Sequence, residues 1–408
     1  MKYLAIAEHC FLDVPTGASR VAWDMLNLMQ RQGHETALIC QRAGSMQPLG
    51  WHQEAGVQVF RFERKTLPIW HPGRLTAIID AGRAAGRAAS TGRRWDVVHV
   101  HAPVIGLGAL DGISGAHRVI STIHSPSAAE QVINWRDQGA IGQLKTILGR
   151  NSLNRVERNL LHASDSIHVL SAFTQSQLFA AHGTVPGVSI IPHWITDQHG
   201  ITHDRESARK LLGWPVDKFI FFSLRQLRRR YGLDVAIRAS AQLPRDSGWR
   251  FYIGGQGNLR QLLEQQISQF DLSQYVHLLG RVPDEQLGLA YLAADVFVLP
   301  TIELECFGLI ILEALGVGCP VIGTDAGAIP EVLNKVQPDA IARAGDALEL
   351  GSIMRRVRER KLLFPSRKEL MQKARAVYGS ALVEPRILEF LQNNALPSKH
   401  SLIRNFLR

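Results

Sequence analysis

Cysteine is scarce in this chain, with four thiols (Cys10, Cys40, Cys306 and Cys319) in 408 residues. None stands in a C-x-x-C or other zinc spacing. So few thiols in so long a chain point to a reducing compartment and no disulfide framework. Long apolar runs are missing as well: no stretch reaches the roughly 18 uninterrupted apolar residues of a membrane span. The N-terminal MKYLAIAEHC carries one lysine and meets Glu8 and His9 too early for a signal-peptide core, so it reads as a first buried strand. The 16 histidines are scattered without an H-E-x-x-H. No short-period repeat is visible, which argues against a solenoid.

What is present is an ordinary globular composition, 46% hydrophobic and 20% charged, in a length that favours two or three domains. The net charge of +10 is uneven. Between Arg61 and Arg94, eight Lys/Arg (61, 64, 65, 74, 83, 87, 93 and 94) meet only Glu63 and Asp80, a net +6. Between Arg355 and Arg375, nine basic residues meet Glu359 and Glu369, a net +7. Either block alone is also what a solvated basic face looks like. Together they suggest an anionic partner, with a membrane surface favoured.

Short apolar runs alternate with helical patterns. MKYLAIA, TALIC (36–40), VQVFRF (57–62), WDVVHVHA (95–102), HRVISTIH (117–124), SIHVL (166–170) and SIIPH (189–193) read as strands. Ser19–Gln32, Thr76–Ala89 and Gln143–Ala163 read as helices. After a polar, irregular stretch at 194–217 the pattern restarts with FIFFSL (219–224), WRFYIGG (249–255), YVHLLG (275–280), DVFVLP (295–300) and PVIGT (320–324), with helices between. Continuous apolar strands alternating with helices predict two doubly wound parallel sheets covered on both faces. The boundary is expected near Pro192, Gly200, Gly213 and Pro215. Lys368–Asn394 reads as one or two helices jointed at Pro385 and long enough to cross back onto the first domain. Two such domains would face each other across a cleft at the carboxyl ends of both sheets.

The stretch TIELECFGLIILEALGVGCPVI (301–322) places Glu313 inside an apolar helix and Glu305 in the turn before it. Gly308 lets a ligand approach the first backbone N–H groups of that helix, where negative charge is favoured. Phosphate is the natural guest, and carboxylates suit the paired hydroxyls of a ribose or hexose. Glu313 could equally be a buried carboxylate tied to a local partner. In SLRQLRRRYGLD (223–234), Arg225, Arg228, Arg229 and Arg230 cluster at a strand-to-helix loop suited to phosphate. They fit a solvated loop too. In the first domain Gly17 lies near a helix start, and His101 and His124 end strands, where either could be structural or part of a site.

The residues Glu305, Phe307, Gly308, Glu313 and Ala314, followed by Gly318, Pro320, Val321, Ile322, Thr324, Gly327 and Glu331, resemble family 4 of the retaining glycosyltransferases, of GT-B fold. RQGHETALI (31–39), DVVHVHA (96–102), ASDSIHVLSAFT (163–174), SIIPH (189–193) and the run from YIGGQG to VFVLPT (252–301) extend the likeness over about residues 15–335. The resemblance implies that Glu313 accepts the ribose hydroxyls of a nucleotide and Glu305 contacts the transferred sugar. Phe307, Gly308 and Leu309 would offer backbone N–H groups, Arg281 and Val282 would border the base, and Gly17 would lie under the diphosphate. His124 matches a histidine beside the reacting sugar, and Arg225 and Arg230 would bind the diphosphate. The chain departs from the family where Gln226 stands beside Leu227 in the usual arginine slot and Tyr231 stands in the usual lysine slot before Gly232. Pro192-His193-Trp194-Ile195 likewise replaces a PNGVD-like stretch.

The expectation is therefore an α/β GT-B protein. Residues 1–195 form an acceptor-side domain with a C-terminal helix (about 378–408), and 196–377 bind a nucleotide-diphosphate sugar. It would be a cytoplasmic, metal-independent hexosyltransferase, peripheral on the inner membrane face and without a cofactor. It would form an α-linkage with retention on a glycan or lipid-linked acceptor, in polysaccharide or glycolipid synthesis. The +6 block, with Trp70 and Trp95 flanking it, would serve that acceptor. A catalytically silent relative acting as a partner subunit is the alternative. Nucleic acid is not an expected partner, because no basic-aromatic reader module is present.

Overall fold

The computed structural model describes residues 1–64, 67, 71, 73–136, 139–196, 203–337 and 339–393. Lys65, Trp70, Gly200 and residues 394–408 of the expected C-terminal helix lie outside them. The chain forms two compact units, Met1–Ile191 with the chain from Glu384 onward, and Pro192–Val383.

The first unit runs β1 (Lys2–Ile6), α1 (Gly17–Arg31), β2 (Glu35–Gln41), β3 (Gly50–Glu54), β4 (Val57–Phe62), α2 (Arg74–Ala89) and β5 (Trp95–Val100). It continues with α3 (Pro103–Gly112), β6 (Ala116–Thr122), α4 (Ser127–Arg136), α5 (Gly139–Ala163), β7 (Ser166–Val169), α6 (Ala172–His182) and β8 (Val188–Ile190). The eight strands lie in the order β3-β4-β2-β1-β5-β6-β7-β8. All pairs are parallel except β3 against β4. The sequence pattern missed β3, whose residues are half-buried at the sheet edge and carry no apolar run. Glycines let α2 and α3 cross at backbone contact: a Cβ on Gly82, Gly86, Gly108 or Gly112 would collide with a carbonyl oxygen of the facing helix.

The second unit runs α7 (Arg205–Leu212), β9 (Phe219–Leu224), α8 (Leu233–Ser240), β10 (Trp249–Gly254), α9 (Arg260–Gln269), β11 (Val276–Gly280) and α10 (Asp284–Ala293). Then follow β12 (Val296–Val298), α11 (Leu309–Gly316), β13 (Val321–Thr324), α12 (Ile329–Leu333), β14 (Ile341–Ala342), α13 (Ala347–Arg358) and α14 (Arg367–Tyr378). The six strands lie in the order β11-β10-β9-β12-β13-β14, all parallel. The central FIFFSL strand is buried along its length, as a strand covered on both faces must be. Its aromatic residues join Trp249, Phe251 and Val298 in the core.

Two expectations change. The stretch at 194–217 is not wholly irregular, because α7 lies within it, capped by Asp204 at its start and by left-handed Gly213 at its end. Its few apolar residues hid it. Arg209 of α7 is buried, and its guanidinium holds Asp295 and the carbonyls of Val216 and Lys218. The C-terminal joint falls at Gly379 rather than at Pro385, which lies inside α15 (Ser380–Gln392). From Glu384 onward α15 belongs to the first unit, where Arg118 donates to the carbonyls of Phe390 and Leu391.

The basic blocks are partly consumed by the fold. Arg61 is buried, with Asp13 and Glu54 both bound to its guanidinium. Arg83 pairs with Asp80 and Asp111, and Arg358 with Asp246. Trp95 is wholly buried with its indole N–H on Ser90, so it lines no surface for an acceptor.

Candidate active site

Parallel α/β sheets bind ligands where the chain reverses its direction of strand addition, at the carboxyl ends of the strands. In the second unit that reversal falls between β9 and β12: the chain adds β10 and β11 to one side and returns to place β12 on the other. Two loops flank it, residues 225–232 after β9 and residues 299–308 after β12. Those loops contain Arg225, Arg230, Glu305, Phe307 and Gly308, all singled out from the sequence.

The loops meet through charge. The Arg225 guanidinium donates from Nη2 to Oε2 of Glu305 and, at 3.3 Å, to Oγ1 of Thr301. Thr301 in turn donates to the same Glu305 oxygen at 3.3 Å. The two charged side chains are 11% and 12% exposed, shielded enough that removing one leaves the other poorly solvated. Tyr231 organises the arginines. Its ring lies 4.9 Å from the Arg225 guanidinium carbon and 4.7 Å from that of Arg230, and Arg230 donates to its phenol oxygen at 2.6 Å. The aromatic residue in the usual lysine slot thus positions two guanidiniums at one loop. Arg228 and Arg229 are exposed, as is Gln226.

The second loop is held from below. Gly327, at φ +62°, has no room for a Cβ, which would collide with the carbonyl oxygen of Glu305, and Ala328 donates to that oxygen at 2.7 Å. Leu304 adopts φ +55°, a costly conformation for a branched side chain. Gly308, at φ +83°, is the N-cap of α11 and supplies no side-chain cap. Leu309 and Ile310 therefore receive no side-chain partner from the capping residue, as suits an anion-binding helix end, while the Ile311 N–H donates to the Gly308 carbonyl at 2.8 Å. Phe307 itself is buried edge-on to Tyr378, with ring centroids 6.2 Å apart, so only its backbone can serve a ligand.

Glu313, in α11, is half-buried and accepts from the phenol of Tyr291 at 2.9 Å. Tyr291 is fully buried in α10, and burial, with the Glu313 charge second, pushes its phenol well above its ordinary range. It therefore stays protonated and donates. Glu313 thus has a structural partner, which occupies one of its two carboxylate oxygens.

Glycines in YIGGQG (252–257) bring the β10 loop against the Arg225 loop. A Cβ on Gly255, at φ +131°, would collide with the Arg225 carbonyl, and one on Gly257 with that of Leu227. Arg225 donates its N–H to Gly254 and Leu227 to Gln256, at 3.0 and 2.9 Å. Val282 follows β11 and closes over Gly254, while Arg281 beside it is exposed.

Gly17 and His124 belong to the first unit, whose own reversal lies between β1 and β5. Gly17 is the first residue of α1 and exposed, beside a capping box of Thr16 and Ser19. His124 follows β6, half-buried, with its Nε2 3.2 Å from Nδ1 of His101. His101 is buried, and so is His99, whose ring centroid lies 4.2 Å away. Burial first, and neighbouring positive charge second, push both of these rings well below the ordinary histidine range.

His99 also belongs to a buried chain running from Tyr3 through Thr122 and His168 to the carbonyl of Ile191. With His99 neutral, one assignment satisfies every group. His168 Nε2 donates to the carbonyl, Thr122 to His168 Nδ1, His99 Nε2 to Thr122, and Tyr3 to His99 Nδ1. These histidines are structural.

Sequence reasoning missed Thr301, Tyr291 and Gly255. Gly255 was legible as part of a glycine cluster. Tyr291 was not, because it lies 22 positions from its partner on another helix.

Residues 15–199 match the family model for Glycosyltransferase Family 4 and residues 204–377 that for Glycosyl transferases group 1. The amylovoran biosynthesis glycosyltransferase AmsK of Erwinia amylovora is 32% identical over 141 residues, 33% of this chain and 35% of its own. A GDP-mannose-dependent alpha-(1-6)-phosphatidylinositol monomannoside mannosyltransferase of Mycolicibacterium smegmatis is 25% identical over 265 residues, 60% of this chain and 65% of its own. The chain thus spans less than two-thirds of these relatives' lengths. Among solved structures, sucrose-phosphate synthase of Thermosynechococcus elongatus superposes with a TM-score of 0.78 at 18% identity, over 96% of this chain and 98% of that one. With two Rossmann-like α/β units and family matches on both, the chain belongs to family 4 of the glycosyltransferases and has the GT-B fold.

Proposed function

We propose that the protein transfers a hexose from a nucleotide-diphosphate sugar to a glycan or lipid-linked acceptor, with retention and formation of an α-glycosidic bond. One observation carries this reading: Arg225, Arg230, Glu305 and the N-terminus of α11 converge at the strand reversal of the second unit, with Glu313 one to two turns further along the helix. The donor dependence of the Mycolicibacterium relative supports it. The uncapped N–H groups of Gly308 and Leu309 and the two guanidiniums would bind the diphosphate, whose charge grows as the glycosidic bond breaks. Glu313 would hold the ribose hydroxyls through the carboxylate oxygen that Tyr291 leaves open. Arg281 and Val282 would border the base, and Glu305 would contact the sugar.

The acceptor hydroxyl attacks the anomeric carbon on the face the diphosphate leaves. The new C–O bond forms as the bond to the β-phosphate oxygen breaks, and the hydroxyl proton passes to that departing oxygen. Side chains supply the neutralising charge, so this reading assigns no step to a metal ion. It places the enzyme in cell-surface polysaccharide or glycolipid synthesis, at the cytoplasmic face.

A second reading has one observation in its favour. Arg225 is engaged by Glu305, and Arg230 by Tyr231, as they would be in a silent relative that binds but does not transfer. Incubation with a panel of UDP-, GDP- and ADP-sugars separates the two. An enzyme hydrolyses one donor slowly and loses that activity in Glu313→Ala and Arg230→Ala; a silent relative hydrolyses none.

A further inference from the structure

The helix α5 carries an apolar stripe on its outside. Ile141, Leu144, Ile147 and Leu148 are 57–71% exposed, which is where isolated aliphatic side chains are not normally concentrated. At about 100° per residue they fall within one third of the helix circumference. The opposite face is the packed one, where Gly142, Val156, Leu160 and Ala163 are buried. A Cβ on Gly149 would stand 2.7 Å from the Trp135 ring of α4, so α4 covers a side of α5 that excludes the stripe.

Charge completes the pattern. Continuing along the stripe toward the C-terminus, the same face presents Arg155 and Arg158, both exposed, with Arg150 exposed beside it. The helix has a single acidic residue, Glu157, and it is buried against His182 and Ser127. The outer face of α5 is therefore apolar in its first half, cationic in its second and free of exposed carboxylates. No described helix is long and apolar enough to cross a membrane, and α5 is no exception. Its composition is that of a helix lying in an interface.

We propose that this face of α5 docks on an anionic lipid surface. The four aliphatic side chains enter the acyl boundary, and Arg150, Arg155 and Arg158 meet the headgroup phosphates. A second copy of the chain fits less well, because pairing through this stripe would bring cations to cations with no exposed acid on the helix to compensate. The docking stands apart from the sugar chemistry of the second unit, and its test does not read transfer.

The test is sedimentation of the purified full chain with vesicles of phosphatidylcholine alone or with about one-third phosphatidylglycerol. The expected result is pelleting with the anionic vesicles, weakened at high salt. The variant Ile141→Ser/Leu144→Ser/Ile147→Ser/Leu148→Ser should bind about tenfold or more weakly. Arg155→Gln/Arg158→Gln should lose most of the salt dependence. An unchanged melting temperature would show that both variants remain folded, as substitutions at exposed positions should. Wild-type protein that stays in the supernatant, or variants that pellet equally, would overturn the proposal. So would light scattering that shows a wild-type dimer, dissociated by the serine variant, with no vesicle binding.

Discussion

The buried phenol of Tyr291 donates to Glu313 at 2.9 Å, so the carboxylate in the apolar helix α11 is aimed by a residue of α10. Tyr291→Phe keeps the ring and deletes the hydrogen bond. A bond to a charged acceptor is worth about 1.5–3 kcal/mol, so donor affinity should fall roughly tenfold or more. We expect a raised donor KM with kcat largely retained, whereas Glu313→Ala abolishes turnover. An unchanged KM would remove Tyr291 from any positioning role.

Arg225 and Glu305 share one contact across two loops. Arg225→Ala should lower turnover about a hundredfold or more, the usual scale for removing a group that stabilises developing charge. The double variant with Glu305→Ala should be non-additive, with a coupling of about 0.5–3 kcal/mol in thermal or denaturant unfolding. Strict additivity would show that the contact is not energetically coupled.

Gly327 props the Glu305 backbone from a positive φ. Gly327→Ala adds both strain and a collision, and should cost about 1–3 kcal/mol together with most donor turnover. Gly33→Ala is the control. Its φ of +77° carries the same strain, but nothing lies within 4 Å of the added Cβ. It should lower the melting temperature and leave turnover intact.

The buried histidines of the first unit set a pH dependence. Burial pushes His99 and His101 well below their ordinary value of 6.5. Below that pH the unfolded chain takes up protons that the folded one refuses, so stability is full above about 6.5 and falls as acid is added. Melting temperatures between pH 8 and 5 should decline on the acid side, and hydrogen exchange in β5 should quicken. Tyr3→Phe leaves His99 Nδ1 unpaired and should cost about 1–3 kcal/mol near neutrality.

Much of this was legible in sequence. The apolar runs FIFFSL and TALIC could only be strands covered on both faces, and they are. The spacing of Glu305, Gly308 and Glu313 placed a loop, a helix start and a carboxylate on that helix, because all three lie within one local turn-and-helix unit. What local pattern cannot carry is partnership at a distance. The edge strand β3 has no apolar signature, and α7 shows little beyond its caps.

The residue types at the site, the two doubly wound parallel sheets and the helix that carries Glu313 were therefore determined by the sequence alone. Tertiary structure decided which groups meet. Thr301 and Glu305 meet Arg225, nearly 80 positions away, only because β12 pairs with β9 across the strand reversal. Packing of α10 beside α11 adds the other contact, so that Glu305 and Glu313, alike in sequence, part company: one carboxylate lies against a guanidinium and the other against a buried phenol.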